Sequence, residues 1–481
     1  MEDCSISPYA QSIIDGLMAR LAALEAKFAV LEAENRELKK RLGLNSENSG
    51  KPPSSDGLKR RTVSLREPGT RSTGGQAGHE GRTMRWCEKP DKTVRHEQGK
   101  CPHCRHRLSD AMIVGIDSRQ VFDSPPPRIE VEQHDAPIYC CAHCRKESHA
   151  AFPEGVDAKM QYGDRLKALA VYFSVQHFTP EERVSEILRE LAGTAGENAT
   201  GGPAPASVAK WVGDCACKLR PTAEAISASI VASPVRHLDE TGIRIQGKTA
   251  WLHVMSTDWL TAFRIGPGRG AIPRELNTAG GVVVHDHFSA YCGLKGVAHA
   301  YCHAHHLREL KSLIEFEPKQ GNLMAVAMRD WLTKALSLRD KAEAQGKTRL
   351  PRKLLSALCA EYDAITARWY SDQIVLRADD KDAGQRKRSD GHKLVRRFQN
   401  CRADMLRFLR DFSVPFTNNQ AERDIRMVKV KMKVAGCFRT RLGAEQFALL
   451  RGIFSTARKQ GHNILKVLSA EPSSLPSLLC A

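Results

Sequence analysis

From Val235 onward the chain changes its periodicity, and this change limits the possible folds more than any other feature. Val235-Arg236-His237-Leu238-Asp239-Glu240-Thr241 reads as a strand carrying an acid, and strands are predicted over 235–246, 249–256 and 260–266. A short helix near 271–277 and a strand at 281–285 follow, and His299-Ala300-Tyr301-Cys302 reads as a fifth strand. Two acids stand out in this stretch. Asp239 lies inside the first strand, and Asp286 ends the apolar run Val282-Val283-Val284-His285, as acids at the mouth of an active site do.

A third acid belongs with them. Thr417-Asn418-Asn419-Gln420-Ala421-Glu422-Arg423 reads as a capped helix start with Glu422 in its first turn. Asp239, Asp286 and Glu422 are oxygen ligands of the kind hard cations prefer, and together they can hold two Mg²⁺ (or Mn²⁺) ions. Two such ions about 3.5–4 Å apart can stabilise both the attacking and the leaving oxygen of a phosphoryl displacement. Three strands, a helix and a fourth strand suit an α/β, RNase H-like catalytic core. We assign it residues 233–455, with the mostly helical, charged stretch 303–412 as an insertion. On the Glu422 helix, Arg426 is four residues on, and Lys429 and Lys433 follow on roughly the same face. With Arg423, Lys431, Arg439 and Arg441 they read either as a phosphate track or as a solvated basic face.

The formal charge of +18 favours a polyanionic partner, although membranes also recruit basic proteins. No run of about 18 apolar residues occurs, so no transmembrane helix is expected. Met1-Glu2-Asp3-Cys4 does not open a signal peptide, and 15 cysteines without one point to reduced thiols or metal ligands in a cytoplasmic protein. At 481 residues the chain should divide into two to four domains.

The N-terminal segment, 8–43, carries a heptad repeat. Ile14, Leu17, Leu21, Leu24, Phe28, Leu31, Leu38 and Leu42 alternate at spacings of three and four once Asn35 fills the gap. Asn35 then occupies an a position, and Arg20–Glu25, Lys27–Glu32 and Glu34–Lys39 are opposite in sign across a parallel pair. The segment reads as a leucine-zipper-like dimerisation helix. Residues 44–85 read as a flexible basic linker containing Lys59-Arg60-Arg61.

Two C-x-x-C knuckles follow in 86–155: Cys101-Pro102-His103-Cys104 and Cys141-Ala142-His143-Cys144. Four thiolates suit a structural Zn²⁺, with a ribbon expected from strands at 129–132 and 137–139. Cys140, His134 and His149 are competing ligands. Residues 156–232 read as helices at 164–176, 181–191 and from about 204. This region is either helix-turn-helix-like and DNA-binding or a helical spacer, and the Gly-rich 193–202 segment is long for a tight turn. Residues 456–481 read as a C-terminal tail.

These motifs in this order resemble the large transposase of the insertion-sequence-66 (IS66) family, of the acidic-triad (DDE) type. Asn45-Ser46-Glu47-Asn48-Ser49-Gly50-Lys51-Pro52-Pro53-Ser54-Ser55-Asp56 and Gly74-Gly75-Gln76-Ala77-Gly78-His79-Glu80-Gly81 resemble its linker signatures. The knuckles resemble its zinc module. Asp239-Glu240-Thr241, then His285-Asp286 with Tyr291, then Asn418-Asn419 with Glu422, Arg423 and Arg426 resemble its three catalytic blocks. Cys302, His305 and Arg308 resemble its Cys-x-Ala-His block. The resemblance implies that the three acids are metal ligands in cleavage and strand transfer at insertion-sequence ends. It also implies DNA as partner, a homodimer or higher oligomer, accessory proteins of the same element and a nucleoid location on DNA. Two other readings remain. A dimeric zinc-containing DNA-binding regulator, or an inactive transposase derivative, would share the coiled coil, zinc and charge. A nickase using His303-Ala304-His305 would need a strand where the pattern is helical.

A peptide of residues 8–43 should sediment as a dimer. Asn35→Leu should raise its melting temperature and loosen its preference for two strands, because the buried amide sacrifices stability for register. A wild-type peptide that stays monomeric at high concentration would remove the coiled coil.

Overall fold

The computed structural model describes residues 8–44, 48, 84–124, 129–191, 202–316, 319–378 and 389–480. Lys59-Arg60-Arg61, most of both linker signatures and most of the Gly-rich 193–202 segment lie outside them. The chain is a mixed α/β protein with a helical majority.

Helix α1 spans Pro8–Gly43, and its stripe from Ile14 to Leu42 is exposed throughout. In the knuckle region, strands β1 (Ile138–Cys140) and β2 (Glu147–His149) pair antiparallel across the second knuckle. The strand expected at 137–139 forms as β1, whereas the one expected at 129–132 does not form. Val131 is 84% exposed, so the Ile-Glu-Val-Glu alternation has no apolar surface to pack against and the hairpin forms around Cys141–Cys144 instead.

Helices α2 (Asp164–Val171, continued by a π turn at Tyr172–Gln176), α3 (Glu181–Leu191), α4 (Pro205–Lys218) and α5 (Arg220–Ala232) lead into the sheet. Val184, Leu188, Val208, Trp211, Ile226 and Ile230 are buried in one core with Ile243, Leu252 and Phe447. Residues 164–232 and the sheet therefore share a hydrophobic core.

The sheet comprises β3 (Val235–Ile245), β4 (Lys248–Ser256), β5 (Thr261–Gly266), β6 (Val282–His285) and β7 (Ala298–Tyr301), in the order β5-β4-β3-β6-β7. The first three run antiparallel, and β6 and β7 are parallel to β3. A two-residue turn joins β3 to β4, with positive φ at Gln246 (51°) and Gly247 (75°), the geometry that suits strand twist. The helix expected near 271–277 is a 3₁₀ segment at Arg274–Thr278. A short α6 (Ser289–Cys292) connects β6 towards β7.

The insertion builds a second core. Helices α7 (His303–Phe316), α8 (Lys319–Ala344), α9 (Arg352–Ala378), α10 (Asp390–Asn400), α11 (Arg402–Met405) and α12 (Arg407–Arg410) enclose Trp331, Tyr362, Trp369 and Phe398. The chain then returns to the sheet through α13 (Asn419–Ala435) and α14 (Arg441–Lys459). Gly452 lets α14 approach β5: a Cβ there would lie 3.0 Å from the Thr261 carbonyl oxygen. The C-terminal stretch folds into α15 (Ile464–Leu468) and α16 (Leu475–Leu479), whose Ile464, Val467, Leu475 and Leu479 are buried in the sheet's core.

Helix α13 is anchored at two points. Asn418, at its N-cap, makes no capping bond with its side chain. Its Oδ1 meets His237 Nδ1 at 2.8 Å and its Nδ2 donates to the Leu238 carbonyl at 2.7 Å, tying the helix start to β3. Further along, Asp424 Oδ2 accepts from Lys459 Nζ (2.8 Å) and Thr261 Oγ1 (3.1 Å), tying α13 to α14 and β5. Asn418→Ala should lower unfolding free energy by about 1–3 kcal/mol, because it leaves buried polar groups unpaired. Urea unfolding checks this, and an unchanged midpoint would show that the clamp is not structural.

Candidate functional site

The strand register brings the first two acids together. In the parallel β3–β6 pair, His237 stands opposite Val284. Two residues further on in each strand direction come Asp239 and Asp286, so both acids reach the same edge, on neighbouring strands about 4.8 Å apart. Asp239 pairs with Val254 of β4, and Val254 packs with Ala421 and Ile425 of α13. Asp239 therefore belongs to the sheet face that α13 covers, where Glu422 occupies the first turn of α13.

Hydrogen bonds orient the acids. Asp239 Oδ1 accepts from the Glu240 amide (2.9 Å), and Asp286 Oδ1 accepts from the Phe288 amide (3.0 Å). Burial pushes the Asp239 carboxyl up to about 8, with Glu240, Asp286 and Glu422 adding repulsion of the same sign. All-oxygen donors are the type hard divalent cations take, but among the described residues Asp239, Asp286 and Glu422 do not form a group of three whose ligand atoms lie within 4.8 Å of one another.

Several residues around the acids carry no obvious sequence signal. On the opposite face of β3, Glu240 has its side chain 2% exposed. It accepts from the Tyr291 hydroxyl at 2.6 Å and from Arg269 Nε at 2.8 Å. Arg269 in turn lies over the Phe288 ring at 4.2 Å. Glu240 was legible only as the neighbour of Asp239, and Arg269 not at all.

Glu422 meets two cationic or ionisable groups on α7. His305 Nδ1 lies 3.7 Å from its Oε1, and Arg308 Nη2 lies 3.7 Å from its Oε2. Cys302, just after β7, accepts the Asn418 amide at Sγ (3.1 Å), and burial raises its thiol to about 11. His303–His305 lie in a helix, as the sequence pattern indicates, not in a strand.

Arg423, Arg426, Lys429 and Lys433 are all exposed on α13. Lys431 is not part of that patch. It is buried, its ammonium pKa is lowered by burial, and Glu181 offsets part of that cost. The helix buries every third or fourth residue, and position 431 falls beside Val428 on the inner face.

The knuckles repeat each other in backbone detail. The amide of Arg105 donates to the Cys101 carbonyl and that of Arg145 to Cys141, both arginines having positive φ. Amides of Cys104 and His103 lower the Cys101 thiol, and those of Cys144 and His143 do the same for Cys141. The same backbone bonding thus recurs at both knuckles. Among the described residues, the sulfurs of the two knuckles do not form a group of three or more within 4.8 Å of one another.

Residues 159–446 match the family model described as transposase IS66 family, and residues 5–85 match one described as a family of unknown function (DUF6444). The first match spans more than half of the chain, which therefore belongs to the IS66 transposase family. Membership supports a transposase role and suggests DNA as a partner and the use of divalent metal. A comparison with curated proteins returned no match. No helix among the described residues is long and apolar enough to cross a membrane.

The raised Asp239 carboxyl sets a direction for stability against pH. Between its ordinary value of 3.8 and about 8 the folded state holds a proton that the unfolded chain releases, so stability without metal falls as pH rises through that window. Asp239→Asn should therefore raise the melting temperature of metal-stripped protein, by a margin that widens from pH ~5.5 to pH ~8. Mg²⁺ should stabilise the wild type and narrow the margin. A margin that does not change with pH would show that Asp239 is not crowded as described.

Proposed function

We propose that the chain is a DNA transposase that binds the ends of an insertion sequence and catalyses metal-dependent strand cleavage and strand transfer into target DNA. The observation that carries this reading is the β3–β6 register, which brings Asp239 and Asp286 to one sheet edge beneath the helix bearing Glu422. The order β5-β4-β3-β6-β7, antiparallel then parallel, supports an RNase H-like core over 233–455 with 303–412 inserted.

In this reading Asp239, Asp286 and Glu422 would hold two Mg²⁺ or Mn²⁺ ions. When bound, those ions supply Lewis-acid polarisation of the phosphodiester and charge stabilisation of the attacking and leaving oxygens. The chain's own residues do the positioning. Asn418 and the Asp424–Lys459 pair fix α13, and with it Glu422, against the sheet. Tyr291 and Arg269 donate to Glu240 and hold it on the opposite face of β3. Exposed Arg423, Arg426, Lys429 and Lys433 give the DNA backbone a track leading away from the acids.

The remaining modules serve assembly. The exposed stripe of α1 would pair two chains, so that two element ends can be held together. Cys101, Cys104, Cys141 and Cys144 would hold one structural Zn²⁺, a ligand set of four thiolates that suits tetrahedral zinc. Accessory proteins of the same element would complete the complex in the cytoplasm.

Asp239→Asn, Asp286→Asn and Glu422→Gln should each lower Mg²⁺-dependent cleavage of DNA carrying the element's ends by roughly 100-fold or more. Binding of the same DNA should stay near wild type, since the amides keep shape and lose only charge. A mutant with full activity would remove that residue from the triad. Wild-type binding without any nicking would favour the regulator reading.

A further inference from the structure

Cys302, His305 and Glu422 converge at the base of the acidic site. One ligand atom from each lies within 4.8 Å of the others. Backbone bonds hold the three in place. The Cys302 amide donates to the His285 carbonyl (2.9 Å), the His303 amide to Phe416 (3.0 Å) and the His305 amide to Cys302 (3.1 Å).

Two of these atoms are unexplained by the protein alone. His305 Nδ1 and Glu422 Oε1 are buried, face each other at 3.7 Å and have no hydrogen-bond partner. That separation is too long for a hydrogen bond. Leaving two buried polar atoms unpaired costs about 1–3 kcal/mol each, a cost that a cation bound between them would remove. Zinc bond lengths of about 2.0–2.2 Å to nitrogen or oxygen and 2.3 Å to sulfur set tetrahedral ligands roughly 3.3–3.6 Å apart, close to the distance seen.

We propose that Cys302, His305 and Glu422 bind a zinc-class divalent cation, in a second metal site beside the acidic one. Binding displaces the Cys302 thiol proton, and the resulting thiolate with an imidazole and a carboxylate forms a borderline-soft set that favours zinc over the all-oxygen preference of Mg²⁺. Three protein ligands leave the fourth position open. The cation fixes one oxygen of Glu422, and the other oxygen faces Arg308. The site deepens the transposase reading because it shares Glu422, yet its metal content is measured without any cleavage assay.

The test uses the full-length wild-type protein, crystallised with zinc and measured at the zinc absorption edge. An anomalous peak between Cys302 Sγ, His305 Nδ1 and Glu422 Oε1 is expected, and a map with no peak there overturns the proposal. In solution, folded Cys302→Ser and His305→Gln should each contain about one Zn²⁺ per chain less than wild type, whatever the knuckles hold. Unchanged zinc in both overturns it, with folding checked by circular dichroism. Asp239→Asn should keep this zinc while losing cleavage. Zinc at the site in a protein that never nicks DNA would leave the site standing and remove the transposase reading. Cleavage without zinc at the site would do the reverse.

Discussion

The parallel pairing of β3 with β6 is the constraint on which the rest of the site depends. Only Val235–His237 and Val282–Val284 are paired in that ladder. A shift of one residue would send Asp286 to the other face of the sheet, away from Asp239 and α13. Two devices hold the register from the strand's N-terminal side. Arg236, fully buried, donates from its guanidinium to the carbonyls of Val231 and Gly280, on the segments that enter β3 and β6. The Val282 amide donates to the Pro234 carbonyl at 2.7 Å. A buried cation thus locks both strand entries together, and the acids at the far ends inherit that alignment.

Helix α13 lies across the sheet face that carries Asp239. Its residues divide by angle: Ala421, Ile425 and Val428 are buried, Glu422 meets His305 and Arg308 of α7, and Arg423, Arg426, Lys429 and Lys433 face solvent. The polar anchors at Asn418 and Asp424 set its rotation. Apolar packing alone tolerates a few degrees of roll, and directional hydrogen bonds narrow it. Lys459 donates to Asp424 and to the carbonyls of Thr257 and Leu260, so the turn between β4 and β5 is part of the same scaffold.

Much of this was legible in the sequence where the signal is periodic. The five strands fall within about two residues of their predicted limits, because each alternates or carries a short β-branched run. The heptad at 8–43 predicted helix α1 to the residue, bounded by Pro8 and Gly43. What was illegible depends on partners far away in the chain. Asn418 looks like a cap, but its side chain bonds β3, and nothing within the helix indicates that. Lys431 reads as another cation of a basic stripe until Glu181 and the packing of α13 are known. The strand expected at 129–132 failed for the opposite reason: the alternation is present, but no sheet edge or core lies beside it.

The way the helical segment 303–412 closes explains how it can interrupt the sheet's core without displacing Glu422. It leaves the sheet after Tyr301 and comes back at Phe416, and the His303 amide bonds the Phe416 carbonyl, so entry and exit touch. His303 is the rivet. Its ring stacks on Phe416 at 4.7 Å and meets Phe408 at 5.0 Å, while its Nε2 bonds the Met405 carbonyl at 2.9 Å. Closing the ends fixes the loop entropy once, and further length adds little cost. The helices can then fold around their own core of Trp331, Tyr362 and Trp369. Because Cys302 and His305 lie at the entry and Asn418 and Glu422 just beyond the exit, this junction also assembles the Cys302–His305–Glu422 cluster. Closure of the insertion and position of the third acid are therefore one structural event, and disturbing His303 should move Glu422 before it moves Asp239 or Asp286.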